Sequence, residues 1–321
     1  MHGRDDAFAW RLYGCNWLVI GLMSLALVGG LALRGFSVAP DSLLGPGLAV
    51  ASCTAAGLYW SIRLKGGAMP LQILGSAGQL LLIAALCTPL TYVAASLDLP
   101  MQDTRLAALD AALGLDWRDY FQWMTGSPML VSAAVFSYAM IGWPVVGVPL
   151  ALGLARRYQR LQEFTLAVAL SLVATTLVSI LVPAMGTYDF FGVRPDPLLF
   201  TPGAYLQQVH DLPLVRSGAL RALDLTKLTG IITFPSFHAC AAVLIMWAFW
   251  SVRWTRIPAL LLYGAMLCAT PLIGGHYFVD LAAGFAVAAV SIGLARTLAG
   301  RIAQRAPAFG PALKLSSSMR A

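Results

Sequence analysis

Apolar residues dominate this chain in long blocks, and the polar ones gather between them. Crossing the roughly 30 Å hydrocarbon layer of a bilayer takes about 20 mostly apolar residues. Eight blocks reach or approach that size: 15–33, 43–62, 70–96, 128–154, 162–184, 236–252, 257–274 and 277–295. The sixth and seventh are short, and Pro258 and Pro271 interrupt the seventh. Two of the intervening segments are long. Residues 97–127 carry Leu106, Leu109, Leu113 and Trp117 at near-helical spacing, interleaved with Asp103, Arg105, Asp110 and Asp119, which predicts an amphipathic helix lying in the membrane interface. Residues 185–234 are rich in Gly, Pro, Tyr, Asp and Arg and read as one long polar loop. The pattern predicts an all-α fold: a polytopic membrane helical bundle of about eight transmembrane helices. It forms one integral-membrane domain over 1–321, with no internal repeat and no linker.

Composition narrows the classes further. Charged residues make up 11% of the 321, against about 25% in soluble domains, and the mean hydropathy is +0.76. So little charge excludes a soluble globular enzyme, a disordered regulator and a nucleic-acid reader. The net charge of +7 then reads as a topology signal. Eight spans put both termini on one side, and 14 of the 21 Lys and Arg residues fall there, among them Arg63, Arg156, Arg157, Arg160, Arg253 and Arg256 in short loops. Positive charge in short loops marks the cytoplasmic side, so both termini are expected in the cytoplasm, with 301–321 as a solvated basic end. The first block follows Arg4 and Arg11 but is long and lacks a small-residue cleavage motif, so it is expected to stay as an anchor. The expected location is a bacterial inner (plasma) membrane, and the loop charges put the 97–127 and 185–234 segments on its periplasmic or exterior side. Cys15, Cys53, Cys87, Cys240 and Cys268 all lie in apolar blocks and are expected to be small core residues.

Candidate chemistry concentrates at that outer face. Of the four histidines, His238 sits in Phe234-Pro235-Ser236-Phe237-His238, directly at the start of the sixth block. Proline is favoured at a first helical position, and free N–H groups at a helix start attract anions; Ser236 adds a hydroxyl. His276 precedes the eighth block, and Asp280 follows it by four residues, so on a helix the two share a face. A carboxylate that accepts one imidazole N–H fixes the tautomer and leaves the other nitrogen a better base or nucleophile. The chain crosses the membrane twice between His238 and His276, so both histidines emerge on the same side.

Pro235-Ser236-Phe237-His238 together with His276-x-x-x-Asp280 resembles the second and third signature motifs of the type 2 phosphatidic acid phosphatase superfamily. The resemblance implies a general acid at His238, a nucleophile at His276 that forms a phosphohistidine, and an orienting aspartate at Asp280. Arg194-Pro195 resembles the end of the first motif, which makes Arg194 a substrate-binding candidate beside Ser236. Three positions depart from the family pattern: Phe237 stands in place of a glycine, Thr187 in place of the first-motif lysine, and Thr270 in place of the third-motif arginine. The Phe-Pro-Ser-large-His and His-Tyr-x-x-Asp pairing, with Leu113-Gly114-Leu115-Asp116-Trp117, is similar to the branch containing inositol phosphorylceramide synthases and bacterial relatives. The resemblance covers about residues 180–290; the catalytic core is expected at 128–298 and its motifs within 185–281.

The resulting expectation is a metal-independent lipid phosphatase or phosphotransferase, without cofactor, acting on lipid phosphates or phospholipid headgroups in the bilayer. A transporter or lipid-binding scaffold is the alternative. It would be expected to show inverted repeats and broken helices meeting at the midplane, and no such repeat is visible. Arg216, Arg221 and Lys227 read as solvated loop charges, His210 has no recognisable partner, and Trp117, Tyr120 and Trp123 read as an interfacial aromatic belt. Gly274-Gly275 serves either close substrate approach or a chain turn.

Overall fold

The computed structural model describes residues 2–63 and 69–304, and they are almost entirely helical. Lys65, Arg305, Lys314 and Arg320, counted above as cytoplasmic charges, lie outside the described residues. Six stretches are long and apolar enough to cross a membrane: Phe8–Arg34, Pro40–Ile62, Met69–Ala95, Tyr158–Leu181, Arg253–Ile273 and Phe278–Ile302. They fall on α1 (His2–Arg34), α2 (Leu44–Ile62), α3 (Met69–Ala95), α8 (Tyr158–Leu181), α12 (Arg256–Ile273) and α13 (Phe278–Gln304). The block at 128–154 is not one rod. It folds as α6 (Pro128–Ala139) and α7 (Pro144–Leu154), bent by 67° at the break, and counted as one span it makes seven. Pro144 opens the second half, and the lost N–H and fixed φ of proline suit a restart. The block at 236–252 gives only the 13-residue α11 (Phe237–Phe249), about 20 Å long at ~1.5 Å per residue.

The remaining short helices form a layer at one end of the bundle. The 97–127 segment is two helices, α4 (Asp103–Ala112) and α5 (Trp117–Thr125), rather than one. Gly114 turns the chain with φ of 73°, and the Asp116 carboxylate caps α5 by accepting from Arg118 N at 2.7 Å. The polar 185–234 segment is likewise structured: it holds α9 (Thr187–Phe191), α10 (Gly203–Ser217) and a two-residue strand, Ala222–Leu223, paired in parallel with Ser37–Val38. Its charges are not all free in solvent. Arg216 binds Asp98 at 2.6 Å and Leu99 O at 2.9 Å, and Arg221 packs over Phe36 while donating to Val215 O. His210 does have a partner, Asp211, 2.7 Å away; that buried carboxylate also accepts from Tyr92 on α3.

Inside the bundle, α11 packs against α8, α12 and α13, and their small and aliphatic side chains make the largest apolar cluster. Cys87 and Cys240 are buried, but Cys268 is exposed on the bundle's outside, unlike the core position expected for it. A polar knot ties α1, α3 and α8. Asn16 donates to Gln162 Oε1 at 2.9 Å, and Gln162 Nε2 donates to Gln72 Oε1 at 2.7 Å and to Ser76 Oγ at 2.8 Å. In a lipid environment such bonds fix which helix faces meet more than they add stability.

Candidate active site

The site is built where α12 ends and α13 begins. The last carbonyls of a helix have no intrahelical donor, and here aromatic side chains from the end layer supply them. Trp117 Nε1 donates to Pro271 O at 3.0 Å and Tyr188 OH to Leu272 O at 2.5 Å, while Tyr120 OH bonds Cys268 O one turn earlier. Trp117 is 1% exposed. It and Tyr120 therefore anchor the end of α12, and of the expected aromatic belt only Trp123 stays exposed. Beyond the anchor the chain reverses at Gly275, whose φ of 64° suits glycine. A side chain there would also strike Tyr205 at 2.8 Å. At Gly274 an added Cβ would lie 2.5 Å from the His276 ring and 2.7 Å from the Tyr138 hydroxyl. The two glycines thus make the turn and let two rings close over it.

The first turn of α13 shows why the aspartate belongs at this spacing. Asp280 reaches back so that Oδ2 accepts from Tyr277 N at 2.9 Å, the acidic half of a capping box. The same oxygen lies 3.1 Å from His276 Nδ1. His276 and Asp280 are both buried. With Nδ1–H donating to the carboxylate, Nε2 keeps its lone pair for the cavity. The serine or threonine that would complete a capping box is missing at Tyr277. Asp110 on α4 stands in for it, accepting from Phe278 N at 2.8 Å and Val279 N at 2.9 Å. Burial raises the Asp110 pKa, and these two backbone bonds pull against that rise. Asp103, two turns earlier on α4, accepts from Gly186 N at 2.9 Å and from Tyr277 OH at 3.0 Å. Thr187 N closes the frame by donating to Gly275 O at 2.9 Å.

His238 enters from α11. Ser236 caps that helix, its hydroxyl accepting from Ala239 N at 3.3 Å, and its own N–H donates to Asp280 O at 3.0 Å. The Ser236 side chain is fully buried, so it sets where α11 begins relative to α13 instead of facing open space. The His238 ring stacks on Tyr138 of α6, with centroids 3.9 Å apart and planes at 12°. His238, His276, Tyr138, Tyr205 and Gln208 all line one cavity of about 640 Å³. The structure therefore brings His238, His276 and Asp280 together and puts Ser236 behind them. It does not bring Arg194 to the cavity wall; that residue is exposed on the loop after α9. Thr270, at the family's arginine position, is buried and bonds Met266 O of its own helix. Among the described residues, no lysine or arginine lines the cavity, and no three His, Cys, Asp or Glu side chains converge as a metal-ligand set.

Reading the sequence alone missed Tyr138, Tyr205, Asp103 and the anchoring role of Asp110. A usable signal existed for the carboxylates: positions 103 and 110 are seven apart and share a face of α4. Tyr138 gave only a lone hydroxyl within an apolar block.

Fold and site define a class: an integral-membrane α-helical protein with two histidines and a supporting carboxylate around one cavity. The sequence model of the PAP2 superfamily matches residues 104–294, more than half of the chain, and the chain belongs to that superfamily. Comparison with curated proteins and with solved structures gave no match. Membership supports phosphatase-type activity on lipid phosphates in general.

Proposed function

We propose that this protein cleaves a phosphate ester of a membrane lipid through a phosphohistidine. His276 Nε2 attacks phosphorus, His238 protonates the departing oxygen, and Asp280 holds the His276 tautomer and offsets the charge the ring gains. The observation that carries this reading is the Asp280-bound His276 facing the same cavity as His238. The free N–H groups at the start of α11 favour the anion. Ser236 contributes by fixing that helix start. Arg194, exposed on the loop after α9 and outside the cavity lining, is given no part in the chemical step. Water resolves the intermediate in a hydrolase and an alcohol in a transferase, and the acceptor assay below separates the two. We place the cavity at the periplasmic or exterior side, as the loop charges suggest.

The test is to trap a labelled phosphoenzyme by acid-free quench with a lipid phosphate, with and without a long-chain alcohol acceptor. Label is expected on wild-type protein and absent from folded His276→Ala. A labelled His276→Ala protein would sink the nucleophile assignment. Product that depends on the alcohol identifies a transferase; product without it, a hydrolase.

A further inference from the structure

The cavity does not stop at the histidines. Its lining continues down one face of three helices: Leu80, Ala84, Thr88 and Thr91 on α3, Phe164, Val168, Leu172 and Thr175 on α8, and Ala241, Leu244 and Ile245 below His238 on α11. Each stripe has helical spacing, and each changes in the same sense. Threonines and histidines stand at the end nearest α10, and only apolar side chains stand at the other. Leu80, Phe164, Leu244 and Ile245 close the bottom, all buried in the largest apolar cluster. From Thr91 to Leu80 the wall runs about 16 Å at ~1.5 Å per residue. One leaflet of hydrocarbon is about 15 Å deep, half of the roughly 30 Å layer.

The side wall is open for a physical reason. α6 packs on α12 while α7 packs on α3, and the pair is bent by 67° between them. Above the break α6 leans away from α3. Ile141 and Gly142 at the break line the cavity, as do Ala84 and Val135, both of them exposed residues although they stand in membrane-spanning helices. The flank between α3 and α6 is thus where the cavity wall is least covered by packed helices.

We propose that this apolar arm is a binding site for a single hydrocarbon chain of the lipid substrate, admitted sideways between α3 and α6, and that its floor limits chain length. The proposal rests on the lipid-ester reading above and adds which part of the lipid is enclosed. The depth suits a chain that keeps its place in one leaflet while its phosphate reaches the histidines. At ~30 Å³ per water-sized group, a cavity of about 640 Å³ holds one long chain with a phosphate; two full chains do not fit, so a second chain remains in the bilayer.

The test uses the full chain in lipid nanodiscs and a phosphatidic acid bearing a diazirine at the end of one acyl chain, beside an isomer with the diazirine next to the ester. After irradiation the labelled residues are mapped by mass spectrometry. The terminal probe is expected on Leu80, Phe164, Leu244 or Ile245, and the ester-side probe near Thr91 and Tyr205. Ala84→Phe, and independently Val168→Phe from the facing wall, narrow the arm halfway down. Each is expected to remove the floor label and to lower kcat/KM for long chains relative to short ones by about tenfold or more, the effect of excluding two or more methylenes. Terminal label confined to bilayer-facing residues such as Leu177 and Leu181 overturns the proposal. So does floor label that persists in both variants, or a chain-length ratio that neither changes. Labelling needs no turnover, so an inactive but floor-labelled protein would count against the phosphohistidine chemistry and not against the arm.

Discussion

At the residue scale, the site divides labour between two histidines held in different ways. His276 is fixed by a carboxylate that also caps a helix, whereas the His238 ring is positioned by stacking on Tyr138 and makes no hydrogen bond to another side chain or backbone group among the described residues. Its ring nitrogens are therefore left to substrate and water. A general acid matters most when the leaving group is poor. His238→Ala is expected to lose about 10²–10⁴-fold on an alkyl lipid phosphate and far less on an aryl phosphate, whose leaving oxygen needs little protonation. Steady-state kinetics with both substrates on the same folded preparation checks this; equal losses would mean that His238 does not protonate the leaving group.

At the element scale, α4 acts as a clamp. Its two carboxylates hold the loop before α9 and the first turn of α13, between which His276 hangs. Asp110→Asn keeps one acceptor and turns an amide donor toward a backbone N–H, leaving a buried donor unpaired at a cost of about 1–3 kcal/mol. The expected result is a lower kcat with KM little changed, together with a lower melting temperature. Unchanged kcat in the variant would show that His276 does not depend on this clamp. A second carboxylate works on α10. Burial alone would raise the Asp211 pKa, but hydrogen bonds from Tyr92, His210 and Gln207 together bring it below its ordinary value. The folded state then holds the proton less tightly than the unfolded chain. Its stabilising contribution is present above the unfolded pKa of about 3.9 and is lost as pH falls through the lower folded value. Melting curves of solubilised protein are expected to show a steeper acid loss of stability below about pH 4 in wild type than in Asp211→Asn. Parallel curves would contradict the linkage.

At the scale of the whole molecule, the end layer and the bundle form one working unit. The layer's aromatic side chains terminate α12, its carboxylates start α13, and α10 brings Tyr205 and Gln208 to the cavity. The carboxylates near the histidines already have partners: Asp280 serves His276, and Asp103 and Asp110 serve backbone N–H groups. Turnover is accordingly expected to survive dialysis against EDTA. Complete loss of activity, restored by adding back a divalent ion, would contradict a chemistry run by histidines, a helix start and hydroxyl donors.

Much of this was determined by the sequence itself. Apolar block length fixes where helices cross a membrane, because unsatisfied backbone groups are not tolerated in hydrocarbon. The spacing of His276 and Asp280 fixes their common face, since a helix brings residues four apart together. Ser236 fixes a helix start as its cap, whereas Pro235 lies ahead of the helix and not at its first position. What the sequence left undetermined depends on contacts between distant segments. The block at 128–154 reads as one span, yet it breaks because its halves find different partners on α12 and α3. Asp110, Trp117 and Tyr120 read as polar and interfacial positions, but their partners lie more than 140 residues away along the chain, where pattern carries no information. Arg194 sits in a plausible motif, and only the tertiary path of the loop after α9 leaves it outside the cavity. Tyr138 beneath His238 and the apolar arm below both exist only once α3, α6, α8 and α11 are side by side. Local periodicity decides elements and faces; long-range packing alone decides which faces meet and what space they leave between them.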